Sequence, residues 1–437
     1  MRAVAALAAL VAASAAMLTT LPHHLVRLPA GVVELHSEMA VGPGTEVAGA
    51  GSGTVLHMAP DFAGRAAIVV HGNGVRLRDF TVDGNREALE VRSGLPPSNQ
   101  PFANFTRGNG VLAEGVEGLV VERVRFRNIA GFAVLVSRSR NIAIDRVSVV
   151  DSGSRTPGGH NNTTGGILLE EGTTDFQVTG SELQHIRGNG VWTHSLYTSP
   201  RNVRGQFALN HFEYIGRDAL QVGHAVGIRV ERNTGRRIGY PPEDVNMEEL
   251  ATPTALDTAG NVEDSSYRDN RFEEIDGKCM DLDGFHDGEI RGNVCVNRGA
   301  PEAYRFGNDG IVMNNSNPDM QCRNIRIVDN LIDGTLFGGI FLIGTGHRIV
   351  RNRLLNLNLA HCPDDAARFG CYYTHDEPDM LQSGIYLGRG AARPAPTTGN
   401  TIEDNEITGF QMGVRCIVLA PGIQPGWNTI RDNHCRN

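Results

Sequence analysis

Apolar residues along this chain come in short runs in which every second place is hydrophobic. Segments such as "GGILLEEG", "GNGVWTHS", "RDALQVGH", "PTALDTAG", "GKCMDLDG", "NDGIVMNN", "GGIFLIGT" and "SGIYLGRG" each follow a small or polar turn. Period-two alternation is the pattern of a strand that buries one face. The first residue after each turn serves as a marker, giving Gly110, Ala133, Gly166, Gly190, Ala219, Ala255, Cys279, Gly310, Gly339, Gly384 and Gly413. The shortest spacings, 23 and 24 residues, define the unit, and the longer ones are that unit plus loops. Further runs between the markers contain asparagine at a bend, as in "YRDNRF", "IRIVDNLI", "RIVRNRL" and "TIEDNEI". A unit in the twenties built from three short strands predicts an all-β chain, a parallel β-helix solenoid forming one elongated domain. Asparagines stacked at the bends satisfy one another in ladders.

Aligning the markers turns the repeats into columns. Counting the marker as position 1, positions 2 and 4 point into the core and positions 3 and 5 point outward. Position 3 reads Leu168, Trp192, Gln221, Asp257, Asp281, Val312, Phe341, Tyr386, and position 5 reads Glu170, His194, Gly223, Ala259, Asp283, Asn314, Ile343, Gly388. The residues just before the markers include Asn189, Asp218, Thr254, Lys278 and Asp309. Polar chemistry gathers on five consecutive coils and fades on either side. Insertions at 236–253 and 360–382 fall between strands and are expected to wall a groove.

Composition sharpens this. Glycine is abundant at 53 residues, and helix-forming runs are scarce. The net charge of −9 implies no broad basic surface, so nucleic acid is not an expected partner. Lys278 is the sole lysine, and it stands among Glu274, Asp276, Asp281, Asp283 and Asp287. Arg2 followed by apolar Ala3 to Leu18 reads as a signal peptide over residues 1–24, which leaves 25–437 as the mature domain. The expectation is a secreted, monomeric protein that leaves the membrane once the leader is cleaved. All seven cysteines lie after residue 278, so an exported chain is expected to pair most of them. Cys362 with Cys371 and Cys416 with Cys435 are the expected bridges, with Cys279 left over.

The repeats, with the opening "VRLPAGVVELHSEMAVGPGTEVAGAGSGTVLHMAP" and "VRLRDFTVDGNRE", resemble the right-handed parallel β-helix (pectin lyase-like) superfamily over residues 25–437. That superfamily includes pectate lyases, polygalacturonases and alginate C5-epimerases, so the resemblance implies a polysaccharide or oligosaccharide partner. One such fold hosts many chemistries.

Three readings fit the residues. In the first, Asp257, Asp281 and Asp283 hold Ca²⁺ against the carboxylate of an acidic glycan, and Lys278 abstracts a proton for β-elimination, as the resemblance to lysine-dependent pectate lyases implies. Epimerisation is a variant. The likeness to alginate epimerases puts Lys278 at that family's Tyr, Asp281 at its Asp, Asp283 at its His and Asn314 at its last Asp, with three of the four residues different. In the second, two of Asp257, Asp281 and Asp283 hydrolyse the glycosidic bond as acid and base. The polygalacturonase Asp-Asp pair and Gly-His-Gly motif are absent. In the third, the chain binds a glycan without reacting. Trp192, His194, Asp218, Gln221, His286, Asp309, Asn314 and Phe341 are the expected substrate contacts, with Tyr386 a further aromatic platform.

Overall fold

In the computed structural model the described residues are 24–247, 251–314, 321–364, 371, 379–389 and 397–437. The expected leader lies outside them apart from His24, which opens the first strand, His24–Arg27. The described residues form one continuous sheet of 40 strands. The pairings between strands are parallel, each strand bonding to its counterpart on the next coil.

One coil shows the plan. Strand Gly165–Glu170 makes the first face, Thr174–Thr179 the second and Glu182–Ile186 the third. The next coil repeats it with Val191–His194, Asn202–Ala208 and His211–Ile215. Inward positions stack as Ile167, Val191, Leu220, Leu256, Met280, Ile311, Ile340 and Ile385, all buried in a single core that runs through the coils. No coil closes a core alone, so burial is achieved only by stacking.

The asparagine ladder is real. Asn210 donates to Asn233 (3.0 Å), Asn233 to Asn270 (2.9 Å), Asn270 to Asn293 (2.8 Å) and Asn293 to Asn330 (3.0 Å). The row continues through Asn352 and Asn405 to Asn433. Each ladder residue follows one with positive φ, such as Arg232 (54°), Asp269 (55°), Asp329 (59°) and Arg351 (54°). The recurring Arg-Asn and Asp-Asn pairs are therefore corners: the first residue makes the left-handed turn and the second caps the stack.

Two expectations change. Cys279 is not the spare thiol: it points into the core and is bonded to Cys295, and Cys322, also buried, is the free cysteine among the described residues. The Cys362–Cys371 and Cys416–Cys435 bridges are as expected. The first insertion begins after Ile238, because Arg236 still belongs to strand Thr234–Ile238. Of the second insertion, 365–370 and 372–378 lie outside the described residues.

Candidate active site

The outward column has the register read from sequence. Leu168 pairs with Trp192, Trp192 with Gln221, Gln221 with Asp257 and Asp257 with Asp281; the column continues to Val312, Phe341 and Tyr386. Lys278 is flanked by Thr254 on one coil and Asp309 on the other. Asp257, Asp281 and Lys278 thus share one side of the solenoid, with Asp218 and Asp309 beside them.

Exposure is where the sequence reading fails. The patch was expected to be open, yet Gln221, Asp257 and Asp281 are buried. The flanking aromatics are not open platforms either. Tyr386 is fully covered, and Phe341 stacks on it at 6.0 Å between ring centroids. Trp192 lies in a second apolar cluster with Phe102, Phe132, Leu135 and Leu168 on the outer side of the sheet. Part of the cover is an insertion that the column analysis passed over. It carries the short helix Phe102–Phe105, whose Phe102 ring meets Trp192 at 5.0 Å. Glu170 fixes this segment by accepting from the backbone N–H groups of Phe102 and Ala103, each at 2.9 Å. The signal was present in "LPPSNQPFANF", a proline-rich stretch with two phenylalanines.

Within the patch the polar groups are tightly engaged. Lys278 Nζ contacts Asp281 Oδ2, and Asn314 Nδ2 donates to Asp281 Oδ1 at 3.1 Å. Gln221 Nε2 donates to Asp257 Oδ2 at 2.6 Å, and Asn189 donates to Gln221 at 2.7 Å. Asp218 accepts from the Thr254 backbone N–H at 2.9 Å and lies 3.5 Å from Arg217 Nη2. Arg217, missed in the sequence, is buried beside it.

Burial and crowding set the protonation. Desolvation, then the charges of Asp218 and Asp281, push the Asp257 carboxyl well above its ordinary value. Burial raises Asp218 too, against the pull of Arg217. It lifts Asp309 to about 6, opposed by Lys278. Burial and the neighbouring carboxylates thus favour the protonated form of Asp257 over its charged form. Asp281 is the carboxylate that the ammonium and the Asn314 amide grip.

The other expected contacts divide. Asn314 and Asp309 belong to the patch, and Phe341 lines a small pocket with Lys278 and Asp309. Asp283 sits two residues along from Asp281; burial raises the Tyr197 phenol, and the charge of Asp283 adds to that. His194 lies beside Trp192 at 5.2 Å, and burial lowers it to about 4. His286 does not join the patch. The chain has turned the corner there, and its ring is bound to Asn261 and Asp287, both at 2.9 Å, and to Arg323 at 3.1 Å.

The donor set does not fit Ca²⁺ as arranged. Among the described residues, the trio of ligand atoms that converge within 4.8 Å is Glu170, Glu171 and His194, not Asp257, Asp281 and Asp283. Asp281 already carries an ammonium and an amide, and Asp283 lies a two-residue step away, about 6.5–7 Å along the strand. The converging trio is itself committed: both Glu170 oxygens accept backbone N–H groups, and Glu171 binds Leu196 N and Ser199 Oγ.

No family model and no curated protein matches the chain. Solved structures do. DFA-IIIase from Arthrobacter chlorophenolicus A6, in complex with GF2, aligns at 12% identity over 94% of this chain and 88% of its own, with a TM-score of 0.55. GH136 lacto-N-biosidase from Eubacterium ramulus aligns at 12% identity over 94% of this chain and 67% of its own, TM-score 0.54. PfbA, a surface adhesin of Streptococcus pneumoniae, aligns at 11% identity over 76% and 82%, TM-score 0.54. Identities this low speak to architecture alone, and on that point they agree with the register above: the chain is a right-handed parallel β-helix.

Proposed function

We propose that the chain is an exported glycoside hydrolase in which Asp257 is the proton donor and Asp281 the carboxylate that attacks or stabilises the anomeric carbon. The observation that carries this reading is the direct pairing of Asp257 with Asp281 on neighbouring coils in unlike surroundings, burial and nearby charge raising Asp257 while Lys278 contacts Asp281. Two carboxyl groups whose surroundings push them apart are the pair that acid–base cleavage needs. The Gln221 N–H occupies Oδ2 of Asp257, which leaves Oδ1 to carry the proton towards a glycosidic oxygen. As the leaving group takes that proton, Asp281 forms a bond to the anomeric carbon. Asp257, now ionised, removes a proton from the water that displaces Asp281, and the cycle closes. Paired strands lie about 4.8 Å apart, nearer the ~5–5.5 Å carboxyl separation of retaining enzymes than the ~6.5–9.5 Å of inverting ones. Retention is the expected outcome.

The elimination reading makes Lys278 the base. Its side chain contacts Asp281 Oδ2 directly, and an opposite charge at contact distance favours the charged form of an amine. A base must lose that proton near working pH. The lysine therefore reads better as the counter-ion of Asp281. Two of the structural neighbours are named for action on carbohydrates, which favours a glycan as substrate. Three disulfides fit an oxidising compartment.

The test is to incubate the purified protein with neutral and acidic glycans, following reducing ends and the ultraviolet absorbance of unsaturated sugars in parallel. Hydrolysis gives the first without the second. Asp257→Asn should lower turnover by about 10²–10⁴ with an unchanged far-UV spectrum. Unsaturated product would overturn the proposal, and glycan retention without any product would make the chain a binding protein.

A further inference from the structure

The geometry points to a second binding site, a groove on the second face of the solenoid that takes an anionic polysaccharide strand along the axis. Arg229, Arg268 and Arg326 bind its carboxylate or sulfate groups. The groove is separate from the acid–base pair and does not depend on the reaction assigned there.

Small residues at one corner open the groove. Strands Asn202–Ala208, Arg229–Glu231, Ser266–Arg268, Glu289–Arg291 and Arg326–Val328 stack in parallel on five successive coils. Where the chain turns into these strands, Gly227 and Gly288 have no side chain and Ser265 and Ser266 have short ones. A Cβ on Gly227 would meet nothing within 4 Å. The result is an open trough of about 820 Å³. Four coil-to-coil steps make it roughly 19 Å long. It lies round the corner from Gln221, Asp257 and Asp281, on coils that also carry that patch.

The charges along it are unevenly paired. Arg204 is committed to Asp175 through two bonds of 2.6 Å. Asp287 is held by Arg323 at 3.0 Å and Asn324 at 2.8 Å. Glu289 serves two guanidinium groups, Arg268 at 2.6 Å and Arg326 at 3.6 Å. Arg229 is exposed and has no hydrogen bond or ion pair among the described residues. Two positive charges are therefore left over, and the exposed carboxylate facing them is Asp264. On a chain of net charge −9, an acidic polymer is drawn to such a local excess.

Spacing and shape select the ligand. Arg229 and Arg326 stand in one outward row, in register through Ser266 and Glu289. Three steps separate them, about 14 Å. Arg268 lies between, two residues further along its own strand. Guanidinium groups set at multiples of the coil spacing suit a polymer with recurring anionic groups, and each planar fork of donors matches two oxygens of one group. No aromatic ring or large apolar side chain lines the groove, so a neutral sugar finds no face to stack on.

The test uses the full chain carrying Asp257→Asn, which spares a polymer that is also a substrate. Polygalacturonate is the carboxylate probe, dextran sulfate the sulfate probe and dextran the neutral one, each followed by affinity electrophoresis and calorimetry. At least one anionic polymer should bind, and more weakly as salt rises from about 0.05 to 0.5 M. Arg229→Gln breaks no contact in the free protein and should weaken that binding about tenfold, with Arg229→Gln, Arg326→Gln weaker still. Arg125→Gln, the same charge change at an exposed site on the third face, should leave it unaltered. Absence of binding by both anionic polymers, full affinity in the double variant, or an equal loss in Arg125→Gln would each overturn the groove. So would tighter binding of single-stranded DNA than of either polymer. Undiminished turnover in Asp257→Asn would refute the acid–base reading and leave the groove standing, which keeps the two failures apart.

Discussion

Replacing Lys278 by methionine tests the electrostatics of the patch most directly. The side chains of Lys278 and Asp281 are 12% and 10% exposed, so the pair has little solvent to screen it. Methionine keeps the stem and removes the ammonium, which leaves Asp281 with only the Asn314 amide. Breaking a buried pair from one side costs about 3–5 kcal/mol, because the remaining charge is stranded. Asp218, Asp257 and Asp309 lose an attraction as well, and all three are pushed further up. Melts at pH 7 and pH 4 bracket the upper side of the ordinary carboxyl range. Lys278→Met with Asp281→Asn should recover most of the loss, since neither charge then remains. Denaturant melts of the four proteins at both pH values give the coupling energy. A Lys278→Met protein within about 0.5 kcal/mol of wild type at pH 7, inside the range of ordinary surface changes, would refute the buried pair. So would a double variant no more stable than the single one.

Asp309 gives a pH signature of its own. A carboxyl raised from 3.8 to about 6 contributes stability below pH 4 that is lost as pH rises through 6. At 1.36 kcal/mol per pKa unit, the loss is at most about 3 kcal/mol. Asp309→Asn should flatten that fall in melts taken from pH 4 to 7. Asn293→Ala breaks the ladder in its middle: the Asn270 backbone N–H loses its acceptor and the Tyr267 carbonyl its donor, while Asn330 Oδ1 keeps the backbone N–H of residue 293, so the cost should be about 1–3 kcal/mol. Asn433→Ala, at the ladder's end, should cost about 1 kcal/mol by the same melts. Thiol titration without reductant should find no accessible thiol in the native protein and one, Cys322, after denaturation. Cys295→Ser opens a bridge spanning 16 residues and should destabilise the chain by about 3 kcal/mol.

What the sequence determined was everything that repeats. Period-two alternation fixed which side chains enter the core, and the spacing of the markers fixed which residue stacks on which. The column from Leu168 to Tyr386 was therefore legible, down to the pairing of Asp257 with Asp281. The Arg-Asn and Asp-Asn corners were legible for the same reason, because a ladder needs its residue at the same place in each coil. What the tertiary structure decided was everything the loops do. The cover over Trp192 comes from residues some ninety positions earlier, held by Glu170, and no periodicity announces such a contact. Burial likewise raises the carboxyl of the outward Asp257, and the fold sets the lone lysine against Asp281. The partner of Cys279 was hidden likewise: a bridge across the core depends on the distance between faces of one coil, which strand alternation does not encode. Alternation reports which way a side chain points, and only the folded chain reports what lies over it.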